Sequence, residues 1–494
     1  MKALRSYSQN KPPHFFSKRI TSAMQRAGLM LGLICLISQL ALSGYCLNQQ
    51  SSSQSTIATA ATSAWANTGR LNAARRSHTA TLLPDGKVLV AGGDNGFDAP
   101  VLKSAELYDP ANEKWNYTGS LNIPRLIHTA TLLTNGKVLV AGGSNDLGGS
   151  LDSVEIYDPA IGTWSSAANL NKVRSWHTAT LLKNGKVLVV GGWGENLPLQ
   201  SAEIYDPAIG TWSVTGNITA SRYGHTATLL ENGKVLIVGG SDDGDLSSTL
   251  GSAELYDPAT GSWSLTANLS QTRVLHTATL LERGEVLVAG GYNSPQISLT
   301  GAELYDPDSG TWKVNGNLNA ARNNHTATLL PGGTVLVVGG YDSNLHSSIN
   351  SAELYHSDRI SYSTTNLDTP RDGHTATLLA NGKVLVAGGF LITGGPSGSI
   401  LNSAELYDPT ATIAIPGIVS ASVEGKRLFV GGENFDPGAV ILRNGVEQKT
   451  KNDPQNPRTA LIGKKAGKKT KVGDTLQVRN PNGTISGEFI FSGS

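Results

Sequence analysis

The sequence is nearly free of cysteine: among 494 residues only Cys35 and Cys46 carry a thiol. A folded body cannot be stapled by a disulfide framework and must be held by its core. Helical heptads and long amphipathic helical patterns are also missing, which sets aside coiled coils and helical bundles. There is no Gly-rich phosphate loop, no zinc-ligand spacing and no Gly-x-Ser-x-Gly elbow, so nothing points to nucleotide, zinc or serine-hydrolase chemistry. The bulk of the chain lacks positive charge as well. Residues 65–414 hold 21 Lys and Arg against 31 Asp and Glu, and an acidic body argues against nucleic acid, whose binding rests on neutralising phosphates.

What the chain does contain is glycine, 57 residues of it, among many short Val/Leu/Thr runs. That combination indicates an all-β architecture with tight turns. The first 64 residues stand apart, with six basic residues and no acidic one. Lys2, Arg5, Lys11, Lys18, Arg19 and Arg26 lead into an apolar stretch from Ala27 to Leu42, and Ala41-Leu42-Ser43 precedes Gly44. A positive flank, an apolar core and small residues at a cleavage position are the layout of an export signal. An uncleaved signal anchor is the alternative, because the stretch is near the lower limit for spanning a bilayer. Either reading of residues 1–44 places the remainder outside the cytoplasm, secreted or displayed at the cell surface. Tyr45 directly before Cys46 fits lipoprotein processing poorly. Residues 45–64, rich in Ser, Gln, Thr and Ala, read as a flexible tether.

Seven times the chain repeats Arg-x-x-His-Thr-Ala-Thr-Leu-Leu, a turn, and a Val-Leu-Val run ending in Gly-Gly. The histidines are His78, His128, His177, His225, His276, His325 and His374, a period near 50 residues that suits one four-stranded unit per repeat. Pairs such as Asp85-Gly86 and Asn135-Gly136 between the two apolar runs predict a hairpin closed by a type I′ turn. The second strand, as at 137–141, is continuously apolar and is expected to be covered on both faces. A third strand carries Ser-Ala-Glu-Leu-Tyr-Asp-Pro, and a tryptophan follows seven residues after its tyrosine, as Trp115 follows Tyr108. The last repeat has Ala414 at that place, but Trp65 precedes His78 by the interval that separates Trp115 from His128. The N-terminal strand should therefore complete the last repeat and close a ring.

This arrangement of Arg, His, Gly-Gly, Glu-x-Tyr and Trp over residues 65–410 resembles the kelch repeat family. The resemblance implies a seven-bladed β-propeller with the His-Thr-Ala-Thr strand innermost around a central channel. Galactose oxidase is similar in propeller type and would imply a copper site with a cross-linked cysteine and tyrosine; the propeller residues here include no cysteine. A sialic-acid mutarotase of the exported kelch kind is the enzymatic alternative, since it needs only acid–base groups at the channel mouth. His346 and Asp372 are the residues that such a reading would use first.

Seven histidines suggest a metal ring, yet equivalents spread around a circle cannot converge at bond distances of about 2 Å on one ion, so they read as scaffold. The seven arginines, Arg75 through Arg371, are matched by seven glutamates, Glu106 through Glu405, and buried carboxylates demand partners, so Arg–Glu pairs are expected to lock the blades. The competing reading is an arginine ring that binds an anionic ligand. Arg75, His78, Glu106, Tyr108, Trp65 and Trp115 are thus assigned to structure. Function should lie where repeats differ: in the pairs between Arg and His, and in the long loops after Gly-Gly. From those pairs Leu126, Trp176, Tyr223, Asn323, Asn324 and Asp372 are the rim candidates for binding a protein or glycan. Ser241-Asp242-Asp243-Gly244-Asp245 lacks the spacing of a calcium loop and reads as an acidic turn.

Residues 415–494 change pattern, with short apolar runs broken by Gly, Asn and Pro that fit a small β-sandwich. Gly432-Glu433-Asn434-Phe435 and Val478-Arg479-Asn480-Pro481-Asn482-Gly483 make the segment similar to the IPT/TIG immunoglobulin-like family, which implies a spacer or adhesive module. Its basic run from Lys464 to Lys471 could touch an anionic envelope or form a solvated hairpin. The chain as a whole reads as a monomeric, non-catalytic interaction protein with no metal and no cofactor.

Overall fold

A computed structural model describes residues 64–493, apart from 97–99, 146–148, 245–247, 294–296, 357–358, 395–397, 412–416, 434, 436–437, 454–455, 457–458, 481–485 and 487. The described residues all belong to one compact unit, 59–494. The export signal, both cysteines and nearly all of the tether lie outside the described residues, as do Asp245, Asn434 and 481–483 of the motifs named above. Among the described residues no helix is long and apolar enough to cross a membrane, and the only helical turn is a 3-10 segment at Ala466–Lys468.

Each repeat becomes a four-stranded antiparallel sheet, and seven such sheets follow one another between residues 65 and 407. In the first, Thr79–Leu82 pairs with Val88–Ala91, which pairs with Ala105–Asp109, which pairs with Lys114–Tyr117. The connection between the first two strands is not the expected type I′ turn. Only Gly86 has positive φ, at 85°, while Asp85 does not; Gly86 N–H donates to Leu83 O, and Leu83 N–H to Lys87 O. This is a type I turn followed by one left-handed residue, for which Pro84 at the second position is well suited. The second strand of every sheet is buried at all four positions, because neighbouring sheets cover both its faces.

The last sheet takes its outer strand from the start of the chain: Trp65–Asn67 lies opposite Tyr407, Leu406 and Glu405. Trp65 packs on Tyr407 with ring centroids 5.0 Å apart, as Trp115 packs on Tyr108. One apolar cluster joins Val88, Val90 and Tyr108 of the first sheet to Leu379, Leu385 and Leu406 of the seventh. The series of sheets is thereby closed.

Burying seven arginines costs free energy that acceptors around the guanidinium offset; the Nη atoms find them, while Nε of Arg75 and of four of its equivalents has no partner among the described residues. Arg75, fully buried, donates from Nη1 to Gly92 O and from Nη2 to Glu106 Oε1, both at 2.7 Å. The Glu106 carboxylate also accepts the backbone N–H groups of Asn72 and Ala73. All seven equivalents form the ion pair at 2.5–3.0 Å, each within its own repeat. Gly-Gly allows this close fit: at Gly93, φ is 101°, and a Cβ would meet Arg76 O at 2.7 Å and His78 Cβ at 2.9 Å.

The C-terminal part contains two further four-stranded sheets. One joins Gly417–Glu424, Arg427–Glu433, Ala460–Gly463 and Thr450–Asn452; the other joins Val446–Glu447, Val440–Arg443, Thr475–Arg479 and Phe489–Ile490. Leu428, Val430, Phe435, Ile441, Leu461 and Val478 fill a single apolar core.

Candidate binding site at the channel mouth

The first strands of the seven sheets meet at the centre. Each histidine's Nε2 pairs with the threonine Oγ1 of the preceding sheet's first strand, from Thr79 with His128 through Thr326 with His374, and His78 with Thr375 closes the circle. All seven histidines are held well below their ordinary pKa, first by burial and then by the arginine three residues earlier; His177 and His374 fall to about 3. They are neutral imidazoles at physiological pH, already engaged by threonine.

Above this ring lies a second one, made of backbone. The residue before each histidine donates its N–H to the carbonyl of its counterpart in the preceding sheet: Ile127 to Ser77, Trp176 to Ile127, Gly224 to Trp176, Leu275 to Gly224, Asn324 to Leu275, Gly373 to Asn324 and Ser77 to Gly373, at 3.0–3.4 Å. All seven adopt left-handed backbone, with φ from 53° to 62°. The peptide groups satisfy one another around the mouth, so recognition there falls to side chains. Five consecutive sheets border an open cavity of about 230 Å³ lined by Ile127, Trp176, Gly224, Leu275 and Asn324, together with five of the histidines.

The pairs between Arg and His therefore divide, and the expectation that both members rim the mouth needs correction. Trp176 and Asn324 line the cavity. Leu126, Tyr223, Asn323 and Asp372 occupy the position before, whose backbone bridges to the residue just after Gly-Gly. The side chains of Tyr223, Asn323 and Asp372 are turned into the bases of the loops, and Leu126 is half-buried. Tyr223 packs edge-on against Trp193 at 5.3 Å, and Asn323 Nδ2 donates to Ser298 Oγ at 2.9 Å. Asp372 accepts from Ser348 Oγ at 2.6 Å and from Asn324 Nδ2 at 3.2 Å; burial raises its pKa. His346 is exposed in the turn between Tyr341–Asp342 and Ser347–Ser348, whereas Asp372 is buried. Asp243 is used within its own loop, accepting from Ser241 Oγ and the Ser248 N–H. Ile127 and Leu275, members of those pairs but not among the six named candidates, line the cavity. The signal that could have found this register is that its residue is Gly224, Gly373 or Asn324 in three repeats, the residue types that tolerate positive φ most readily.

Comparison with known families gives a match to the KLHDC2/KLHL20/DRC7 Kelch-repeats domain over residues 77–291 and to the Kelch motif over residues 283–315. No curated protein matches the chain. Among solved structures it is similar to one described as a novel fungal alcohol oxidase with catalytic diversity among the AA5 family, in complex with copper, at 16% identity and TM-score 0.57, covering 87% of this chain and 99% of that one. It is also similar to the structure of YjhT, at 16% identity and TM-score 0.48, covering 60% of this chain and 99% of that one. The chain contains kelch repeats, and its fold is an all-β propeller of kelch type.

Proposed function

We propose that this kelch-repeat propeller is an exported, non-catalytic interaction protein that grips a protein loop or a glycan at the channel mouth. In this reading the seven sheets are seven blades, and residues 415–494 form an immunoglobulin-like module that spaces or anchors them. The observation that carries the proposal is the left-handed ring. A left-handed conformation costs a residue other than glycine about 1–2 kcal/mol, and a β-branched residue there is an outlier. Yet the mouth keeps Ile127, Trp176 and Leu275 at such positions, where glycine would relieve the strain. Strain held at a concave site is a mark of use. Apolar and aromatic faces beside one amide suit the flat face of a sugar ring or a partner's side chain.

A copper oxidase chemistry like that of the fungal neighbour does not fit these residues. The imidazoles are spread around a circle, each held by a threonine, and among the described residues no three His, Cys, Asp or Glu side chains cluster as metal ligands. One observation favours a sugar-directed enzyme: a carboxyl with raised pKa, Asp372, touches Asn324 at the mouth. Both of its oxygens are occupied, however, which suits a structural clamp. An array of glycans and proteins, probed with the chain and with Trp176→Ala, separates the readings. Binding that disappears with Trp176 and occurs without turnover supports the proposal. Turnover of a bound sugar that stops in Asp372→Asn would replace it with the enzymatic reading.

A further inference from the structure

Cations far apart in the sequence come together at one end of the C-terminal β-domain. In the sheet built on Arg427–Glu433, four strands begin or end side by side. Glu424 ends its strand opposite Arg427, and Gly463 ends another opposite both Leu428 and Thr450. The turns at that end carry Lys426, Arg427, Lys449, Lys464, Lys465, Lys468, Lys469 and Lys471, all exposed. Backbone contacts fix the grouping: Lys464 N–H donates to Lys449 O at 2.8 Å, and a Cβ on Gly467 would meet Arg427 O at 2.6 Å.

The second sheet contributes to the same end. Arg443 Nη1 donates to Lys469 O at 2.7 Å and pairs with Asp474 at 2.9 Å, so Asp474 is already paired, and an exposed acid, Glu424 opposite Arg427, stands at the same end against the eight cations. None of the eight cations has an ion pair among the described residues. Beside them stand two valines that water has not hidden, Val446 at 64% and Val472 at 72% exposure. Val446 follows the Arg443 turn and Val472 follows Lys471.

We propose that this end of the domain rests on an anionic lipid surface, with the lysines over the headgroups and Val446 and Val472 entering the interface. Seven of the eight cations are lysines, compact point charges suited to a diffuse field and without the planar fork that reads individual phosphates. They crown strand ends and turn tips, and they carry no aromatic platform for stacking bases. A cluster of four to eight cations is the size that holds a protein to an anionic bilayer, and exposed apolar residues add to it. The proposal stands apart from the channel-mouth reading and survives its failure.

The test is flotation of the full chain with vesicles of phosphatidylcholine alone and of an equimolar mixture with phosphatidylglycerol. The ratio of the two affinities removes whatever residues 27–42 contribute to both. Changing Lys464, Lys468, Lys469 and Lys471 to Gln should lower that ratio by roughly fivefold per lysine at low salt, several hundredfold in all. The same charge change at Lys103, Lys114, Arg283 and Lys313 should leave it within twofold. Val446→Ser with Val472→Ser should weaken the binding that persists at high salt. Circular dichroism identifies any variant that fails to fold, and the two-valine variant then carries the test. An unchanged ratio in the four-lysine variant overturns the proposal. So does tight binding of soluble polyphosphate with no preference for anionic vesicles, which would assign the patch to a polyanionic chain.

Discussion

The propeller and the C-terminal domain solve the same problem with different means. The propeller repeats one buried polar assembly in each sheet, an Arg–Glu pair and a His–Thr contact. The C-terminal domain closes two sheets over a single apolar cluster, and its Arg443–Asp474 pair is partly exposed. Buried polar groups bond only in specific geometries, so each sheet of the ring is fixed in one register relative to its neighbours. An apolar core fixes shape less strictly and titrates little. The difference teaches that the ring's specificity depends on protonation state, whereas the tail's does not.

Acid should expose this most strongly. Unfolded histidine titrates near 6.5, while the seven ring histidines stay neutral to far lower pH, about 3 for His177 and His374. Between those values the unfolded ring binds more protons than the folded one, so stability falls as pH falls, by about 1.4 kcal/mol per pH unit for each histidine. Residues 415–494 contain no histidine. There Asp474 is depressed to about 2 by the Lys471 N–H, Asn444 and Arg443, so its stabilising contribution is present above its ordinary value near 4 and is lost only as pH drops through about 2. All eight tryptophans lie within residues 65–312, so fluorescence reports the ring alone. The ring should lose its native emission on descending from pH 6 toward 4 while hydrogen exchange in the tail stays protected. Simultaneous loss of both would contradict the comparison.

Single substitutions test the same contrast at a smaller scale. Glu106→Ala strands the Arg75 guanidinium, which is fully buried, and should cost about 3–5 kcal/mol. Glu447→Ala removes a pair with Arg479 in which both partners are exposed, and should cost less than about 1 kcal/mol. Denaturant melts of the two variants, followed by fluorescence for the first and by tail-specific exchange for the second, measure the gap.

The register of strands was readable because repetition averages out local noise. Each His-Thr-Ala-Thr-Leu-Leu run, each Gly-Gly and the interval from Trp65 to His78 recur with a period that only one pairing satisfies, and Trp65 lies opposite Tyr407. The matched numbers of arginine and glutamate pointed to their pairing for a similar reason, since a buried charge must be answered. What stayed hidden was backbone handedness. Asn-Gly and Asp-Gly occur both in type I′ hairpins and in type I turns followed by a left-handed residue, and the residues before them decide which forms. At the mouth, Ile127 and Trp176 carry side chains that favour extended backbone, and Leu275 one that favours the right-handed helix. Their left-handed state is imposed by the ring of peptide hydrogen bonds, a non-local cause that no short window contains.

Binding should follow the same division between repeated and unrepeated parts. Trp176→Ala removes the largest side chain of the cavity and should weaken the captured ligand by about 2 kcal/mol or more, roughly 30-fold. Leu126→Ala, one position from the mouth residue Ile127, should weaken it less than threefold. Titration calorimetry with the ligand found on the array compares them.

The smallest effect is also the most specific. In the tail, left-handed positions are held by Gly425, Gly438, Gly445, Gly473, Gly493, Asn444 and Lys465, none of them β-branched, and Asn444 further bonds Asp474 and the Thr475 N–H. The mouth instead retains Ile127. If its strain serves the site, Ile127→Asn should relieve it and stabilise the ring by about 1 kcal/mol while reducing affinity for the ligand. The opposite change in the tail, Asn444→Ile, introduces strain with no site to serve and should lower the tail's stability by at least as much. Melting of both variants, with ligand titration of the first, decides the matter. A destabilised Ile127→Asn would mean that the isoleucine is held there by packing, and the argument from strain to function would then rest on Trp176 and Leu275 alone.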